Sequence, residues 1–134
     1  MVHPSGTSLH LIADLEQCSG LDHVDLIADV LREAAIVAGG TLIDLRLHHF
    51  GPGMGVTGVA LLAESHISIH TWPECGTAAV DLFVCGLQAN AEKGLEVIRQ
   101  RLGGTIGLKQ SIDRLGGVDK FTEAPSGALD HSCS

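Results

Sequence analysis

The chain has 134 residues, 45% of them hydrophobic and 18% charged, with sixteen acidic against eight basic side chains and a formal charge of −8. That length suits one domain with one core, and the apolar content excludes a wholly disordered chain. No apolar run approaches the ~20 residues of a bilayer-spanning helix, and the negative charge repels phosphate backbones, so neither membrane nor nucleic acid is an expected partner.

The amino-terminal "MVHPSGTSLHLIAD" has neither a basic start nor an uninterrupted apolar stretch, so a cytoplasmic protein is expected. Cys18, Cys75, Cys85 and Cys133 lack C-x-x-C spacing, and in that compartment free thiols are expected rather than a disulfide framework.

"SLHLIAD" at 8–14 predicts a first strand. A helix is predicted from Leu21 or Asp22, with Asp22 as its cap and Val24, Ile27, Ala28, Leu31, Ala34 and Ala35 at helical spacing; Gly39 and Gly40 end it. "TLIDLRLHH" at 41–49 alternates, with Ile43, Leu45 and Leu47 on one face and Asp44, Arg46 and His48 on the other. After the loop "FGPGMG" come three predicted strands, "VTGVALLAE", "HISIHTW" and "AAVDLFVC". A second helix is predicted in "ANAEKGLEVIRQRLGG", with Ala91, Leu95, Ile98 and Leu102 on one face, and a last strand in "TIGLKQSI". The polar end, about 120–134, is expected to be a mobile tail. The order predicts a single α+β domain, a two-layer sandwich with helices on one face of a mainly antiparallel sheet. A second protomer is a natural cover for the other face, so a homodimer is expected.

The polar set in "LAESHISIHTWPE" stands out inside an otherwise apolar stretch. Alternation puts Ser68 and His70 on one face and Ile67 and Ile69 on the other. A hydrogen-bonded structural histidine is one reading of His70. A metal set drawn from His48, His49, His66, His70 and Cys75 matches no zinc spacing, and "AESHI" lacks the glycines of a hydrolase nucleophile elbow. A cysteine–histidine pair is conceivable, but spacing alone does not bring Cys85 to a histidine.

"ESHISIHTWPE" followed by "AAVDLFVCG", with "GVTGVALLAESH", "LHHF" and "LHLIADLEQC" upstream, resembles the prokaryotic S-adenosylmethionine decarboxylase proenzymes over roughly residues 8 to 110. The resemblance implies a pyruvoyl-dependent enzyme of polyamine synthesis that cuts itself between Glu64 and Ser65. The products would be a β chain, 1–64, and an α chain, 65–134. Ser65 would become the pyruvoyl cofactor, which holds the substrate amine as a Schiff base, and no metal is implied. His70 would be the base that completes processing, Thr57 would assist it by hydrogen bonding, and Cys85 would be the proton donor of the decarboxylation. Glu74 would bind the ribose hydroxyls of a cationic small-molecule substrate and Phe50 would stack on its adenine. The resemblance also places Ser65 and Cys85 of one subunit against Thr57 and His70 of the other. The loop "FGPGMGVTG" is one residue longer than the common form, and Cys75 and Thr77 replace bulkier residues. Some relatives with the same self-cleaving core decarboxylate arginine or ornithine, which is the alternative activity; a homologous regulatory subunit that never matures is the non-catalytic one.

Overall fold

The computed structural model describes residues 8–85 and 88–115. Its elements run β1 (Ser8–Glu16), α1 (Val24–Val37), β2 (Leu42–His49), β3 (Val56–Leu62), β4 (Ser65–Trp72), a short 3₁₀ turn (Pro73–Cys75), β5 (Thr77–Cys85), α2 (Gln88–Leu102) and β6 (Thr105–Arg114). The strands form one sheet in the order β2-β3-β4-β5-β1-β6, and every pairing is antiparallel. Both helices pack on one face, giving the expected two layers.

Period-2 burial builds the core. Leu9, Leu11, Ala13 and Leu15 of β1, Ile67 and Ile69 of β4, and Ala78, Val80, Leu82 and Val84 of β5 all point toward the helices. From α1 they meet Ile27, Val30, Leu31, Ala34 and Ala35, and from α2 the four residues expected, Ala91, Leu95, Ile98 and Leu102. The helix ends follow the glycines: Gly39 is left-handed at φ 80°, its N–H donates to the Ile36 carbonyl, and Gly40 N–H donates to Ala35.

Four local expectations need correction. The cap of α1 is His23, which makes no side-chain cap hydrogen bond, so Asp22 does not cap. Ile43 is 67% exposed rather than core-facing, because a bulge lets Leu42 pair with Leu62 and Asp44 with Leu61, turning the extra residue out of the alternation. The strand read through Glu64 stops at Leu62, and Ala63 and Glu64 form a two-residue turn into β4. Cys18 and Cys85 are free thiols, whereas Cys75 is disulfide-bonded. Cys133 and the segment 120–134 lie outside the described residues.

Thr71 is the one polar residue buried in the core among those described. Its hydroxyl accepts from Val56 N–H at 2.8 Å and donates to the Leu21 carbonyl at 2.8 Å, so it ties β4, β3 and the loop before α1 together. Thr71→Val keeps the shape and strands both backbone groups. We expect it to cost about 2 kcal/mol and to lower Tm by about 8 °C, with Thr71→Ser closer to the parent, read by thermal unfolding.

Candidate active site

The Glu64–Ser65 bond sits at the tightest bend of the sheet. Leu62 pairs with Ser65 across the two-residue turn, and Glu64 adopts φ 66°, the left-handed region where glycine is usual. A non-glycine side chain held there costs on the order of 1–2 kcal/mol, and the surrounding structure maintains it. The Ala63 N–H donates to the Thr41 carbonyl at 3.0 Å, fixing one side of the turn.

Cys85, the last residue of β5, fixes the other side through two groups. Its backbone N–H donates to Ser65 Oγ at 3.3 Å, and its Sγ donates to the Glu64 carbonyl oxygen at 3.1 Å. One residue therefore holds both the hydroxyl nucleophile and the carbonyl beside it. A cavity of about 170 Å³ opens here, lined by Gly40, Thr41, Leu62, Glu64, Ser65 and Cys85 among others.

The remaining expected residues gather elsewhere. Thr57 faces His70 across β3 and β4, and Thr57 Oγ1 lies 3.1 Å from His70 Nδ1. They line a second cavity of about 340 Å³ with Phe50, Met54, Trp72 and Glu74. Glu74 belongs to the 3₁₀ turn, while Phe50, 58% exposed, stands edge-on to His48 with ring centroids 4.6 Å apart. The loop carrying Phe50 is pinned by Phe50 N–H on the Gly55 carbonyl, and a Cβ at Gly55 would overlap the Thr71 carbonyl oxygen.

Five residues of extended strand separate Ser65 from His70, about 16 Å along β4. Within one chain the imidazole does not reach the Ser65 α-carbon. The structure thus assembles two half-sites: Glu64, Ser65 and Cys85 at one end of the central strands, and Thr57, His70, Glu74 and Phe50 at the other. Among the described residues, no helix packs on the sheet face opposite α1 and α2. His66 stacks on Phe83 with centroids 5.5 Å apart, His10 meets the same ring edge-on, and the Arg114 guanidinium lies over it. His10 Nε2 is buried and has no hydrogen-bond partner among the described residues.

Among the other groups, burial pushes the Cys18 thiol up to about 11, which keeps it protonated near neutral pH and unsuited to nucleophilic chemistry. No three His, Cys, Asp or Glu side chains cluster as a metal site among the described residues. Reading the sequence missed Ser8, whose Oγ is 3.4 Å from Cys85 Sγ, and Trp72 and Met54 in the second cavity. Only strand pairing brings Ser8 to Cys85, because 77 residues separate them.

Known proteins are similar to this chain in sequence and in fold. The S-adenosylmethionine decarboxylase family matches residues 9–115. The S-adenosylmethionine decarboxylase proenzyme of Prochlorococcus marinus is 47% identical over 110 residues, covering 78% of this chain and 85% of that protein. The proenzyme of the same description from Methanococcus aeolicus is 50% identical over 95 residues, covering 69% of this chain and 80% of that one. A crystal structure of the adenosylmethionine decarboxylase from Aquifex aeolicus VF5 superposes with a TM-score of 0.76 at 37% identity, covering 90% of this chain and all of that one. With the match spanning most of the sequence and the whole fold, the chain belongs to the S-adenosylmethionine decarboxylase family.

Proposed function

We propose that the chain is a proenzyme that cuts itself at Glu64–Ser65 and then decarboxylates S-adenosyl-L-methionine, giving the aminopropyl donor for polyamine synthesis. The observation that carries this reading is the left-handed Glu64, whose carbonyl oxygen takes the Cys85 thiol at 3.1 Å while Cys85 N–H holds the Ser65 hydroxyl. The names of the relatives favour adenosylmethionine over ornithine or arginine. No described helix is long and apolar enough to cross a membrane, and a cytoplasmic location is part of this reading.

In processing, Ser65 Oγ forms a bond to the Glu64 carbonyl carbon, the C–N bond to Ser65 breaks, and the hydroxyl proton ends on the freed nitrogen. Negative charge builds on the Glu64 oxygen during attack, where the Cys85 S–H already points. Strain at Glu64 is released as the amide becomes an ester, so the turn favours the forward step. A base then removes the Ser65 α-proton and the Glu64 carboxylate departs, ending the 1–64 chain. Water replaces the nitrogen as ammonia, leaving a keto acyl group at the head of the 65–134 chain.

His70 is the base in this reading, and it must come from a second copy, because its own Ser65 is about 16 Å away along the strand. Thr57 holds Nδ1, which leaves Nε2 to accept the proton. A homodimer across the sheet face opposite the helices supplies that second copy, and the half-buried Phe83, with His66 stacked on it and the Arg114 guanidinium over it, is the kind of surface such a partner covers.

The pyruvoyl group fits the place, since it is built from the atoms of Ser65 and lies on the cavity that Cys85 lines. It supplies an electrophilic carbonyl and a sink for the electron pair released with carbon dioxide. Around it the chain's own residues bind and deliver a proton. Cys85 gives the proton to the product carbon, while from the second copy Glu74 accepts from the two ribose hydroxyls and Phe50, beside Trp72 and Met54, offers an aromatic face to the adenine and the sulfonium.

Mixed dimers test the composite site. Ser65→Ala and His70→Ala chains, each carrying a different affinity tag, are co-expressed, and the doubly tagged dimer is analysed by intact mass. The His70→Ala chain should be cleaved in the mixed dimer and not in its own homodimer. Cleavage in neither would sink the two-chain site, and equal cleavage in both would remove His70 as the base.

A further inference from the structure

We infer that Ser8 is a positioning residue for Cys85, setting the direction of its thiol during self-cleavage. Ser8 and Cys85 are direct partners in the β1–β5 register, and their side-chain Oγ and Sγ atoms are 3.4 Å apart in a part-buried contact. The thiol has a single proton, and that proton is directed at the Glu64 carbonyl oxygen. The Ser8 hydroxyl must then be the donor and the sulfur its acceptor. Sulfur held this way has one side chain fixing it from β1 while its own S–H points across to the turn.

The role inferred for Ser8 in self-cleavage rests on Glu64–Ser65 being the scissile bond. A weak donor such as S–H stabilises a developing oxyanion only when its direction is held, and a hydroxyl donating to the sulfur polarises the S–H toward its acceptor. Ser8 forms and breaks no covalent bond. After Cys85 has given up its proton in the decarboxylation, the same hydroxyl faces the bare sulfur and keeps it in place for reprotonation.

The test follows chain cleavage of freshly made protein by intact mass for the parent, Ser8→Ala and Ser8→Thr, with and without Cys85→Ala. Ser8→Ala should slow cleavage about three- to tenfold, and Ser8→Thr, which keeps the hydroxyl, should stay within about twofold of the parent. With Cys85 already removed, Ser8→Ala should change nothing further, because an interaction acting through a partner disappears with it. A merely structural role for Ser8 would slow both backgrounds alike and overturn the inference, as would parental cleavage in Ser8→Ala.

A second measurement does not depend on cleavage. In full-length Ser65→Ala protein, iodoacetamide labelling of Cys85, located by peptide mass, should slow at least about threefold on adding Ser8→Ala, because a hydroxyl donor favours the nucleophilic anionic sulfur. Labelling of Cys18 should not change. Equal labelling of Cys85 overturns the inference whatever the cleavage rate. An uncleaved parent chain would contradict the proposed function and leave this labelling result standing on its own.

Discussion

Ser65→Ala is expected to abolish chain cleavage, leaving one full-length product where the parent gives fragments 1–64 and 65–134. Alanine keeps the strand, the Leu62 pairing and the left-handed turn at Glu64, so the fold should persist. What it loses is the oxygen that Cys85 N–H holds beside the Glu64 carbonyl. Neither Ser8 nor Thr57 stands in its place: Ser8 Oγ contacts the Cys85 sulfur, and Thr57 lies at the far end of β3. Decarboxylation should fall to background with cleavage, because the electrophile is never made. Efficient cleavage of this variant would remove the proposed chemistry.

Cys85→Ala is expected to separate two roles. Processing should slow about tenfold or more, for loss of the S–H donor to Glu64 O, yet still reach completion because the Ser65 hydroxyl and the strained turn remain. The backbone N–H that holds Ser65 Oγ survives the substitution. Once matured, the variant should form the correct product about 10²-fold more slowly, the usual scale for losing a positioned acid. Timing cleavage by mass and measuring labelled carbon dioxide together with the released amine distinguishes the two steps. Unchanged product formation would exclude Cys85 as the acid.

The layers of the fold were legible because each carries a period. Alternation in β1, β4 and β5 and the spacing of α2 match the observed burial, and that of α1 does so except that Val30 is buried while Val24 and Ala28 are only partly so; the paired glycines mark both helix ends. Ile43 was misread because a bulge on an edge strand breaks the period without leaving a glycine or proline to announce it. Glu64 was read into a strand for a related reason. Its turn is Ala-Glu, with none of the residues that favour positive φ, and the conflict between residue and conformation falls at the proposed scissile bond.

Site residues divide in the same way. Resemblance named Ser65, His70, Cys85, Thr57, Glu74 and Phe50, but no local pattern could say that they form two groups. Once the turn is fixed at 63–64, the pairing of Thr57 with His70 follows by counting back from Leu62 and Ser65. Contacts of Cys85 with Glu64 and with Ser8 depend on two further strand pairings, which single-sequence periodicity does not encode.

The most direct test is the intact mass of protein purified in its active form, read together with the chemistry of its chain ends. Two chains are expected, one ending at Glu64 and one beginning at position 65 with a keto acyl group in place of serine, reactive toward carbonyl reagents. Active protein with a continuous backbone and an unmodified Ser65 would contradict it.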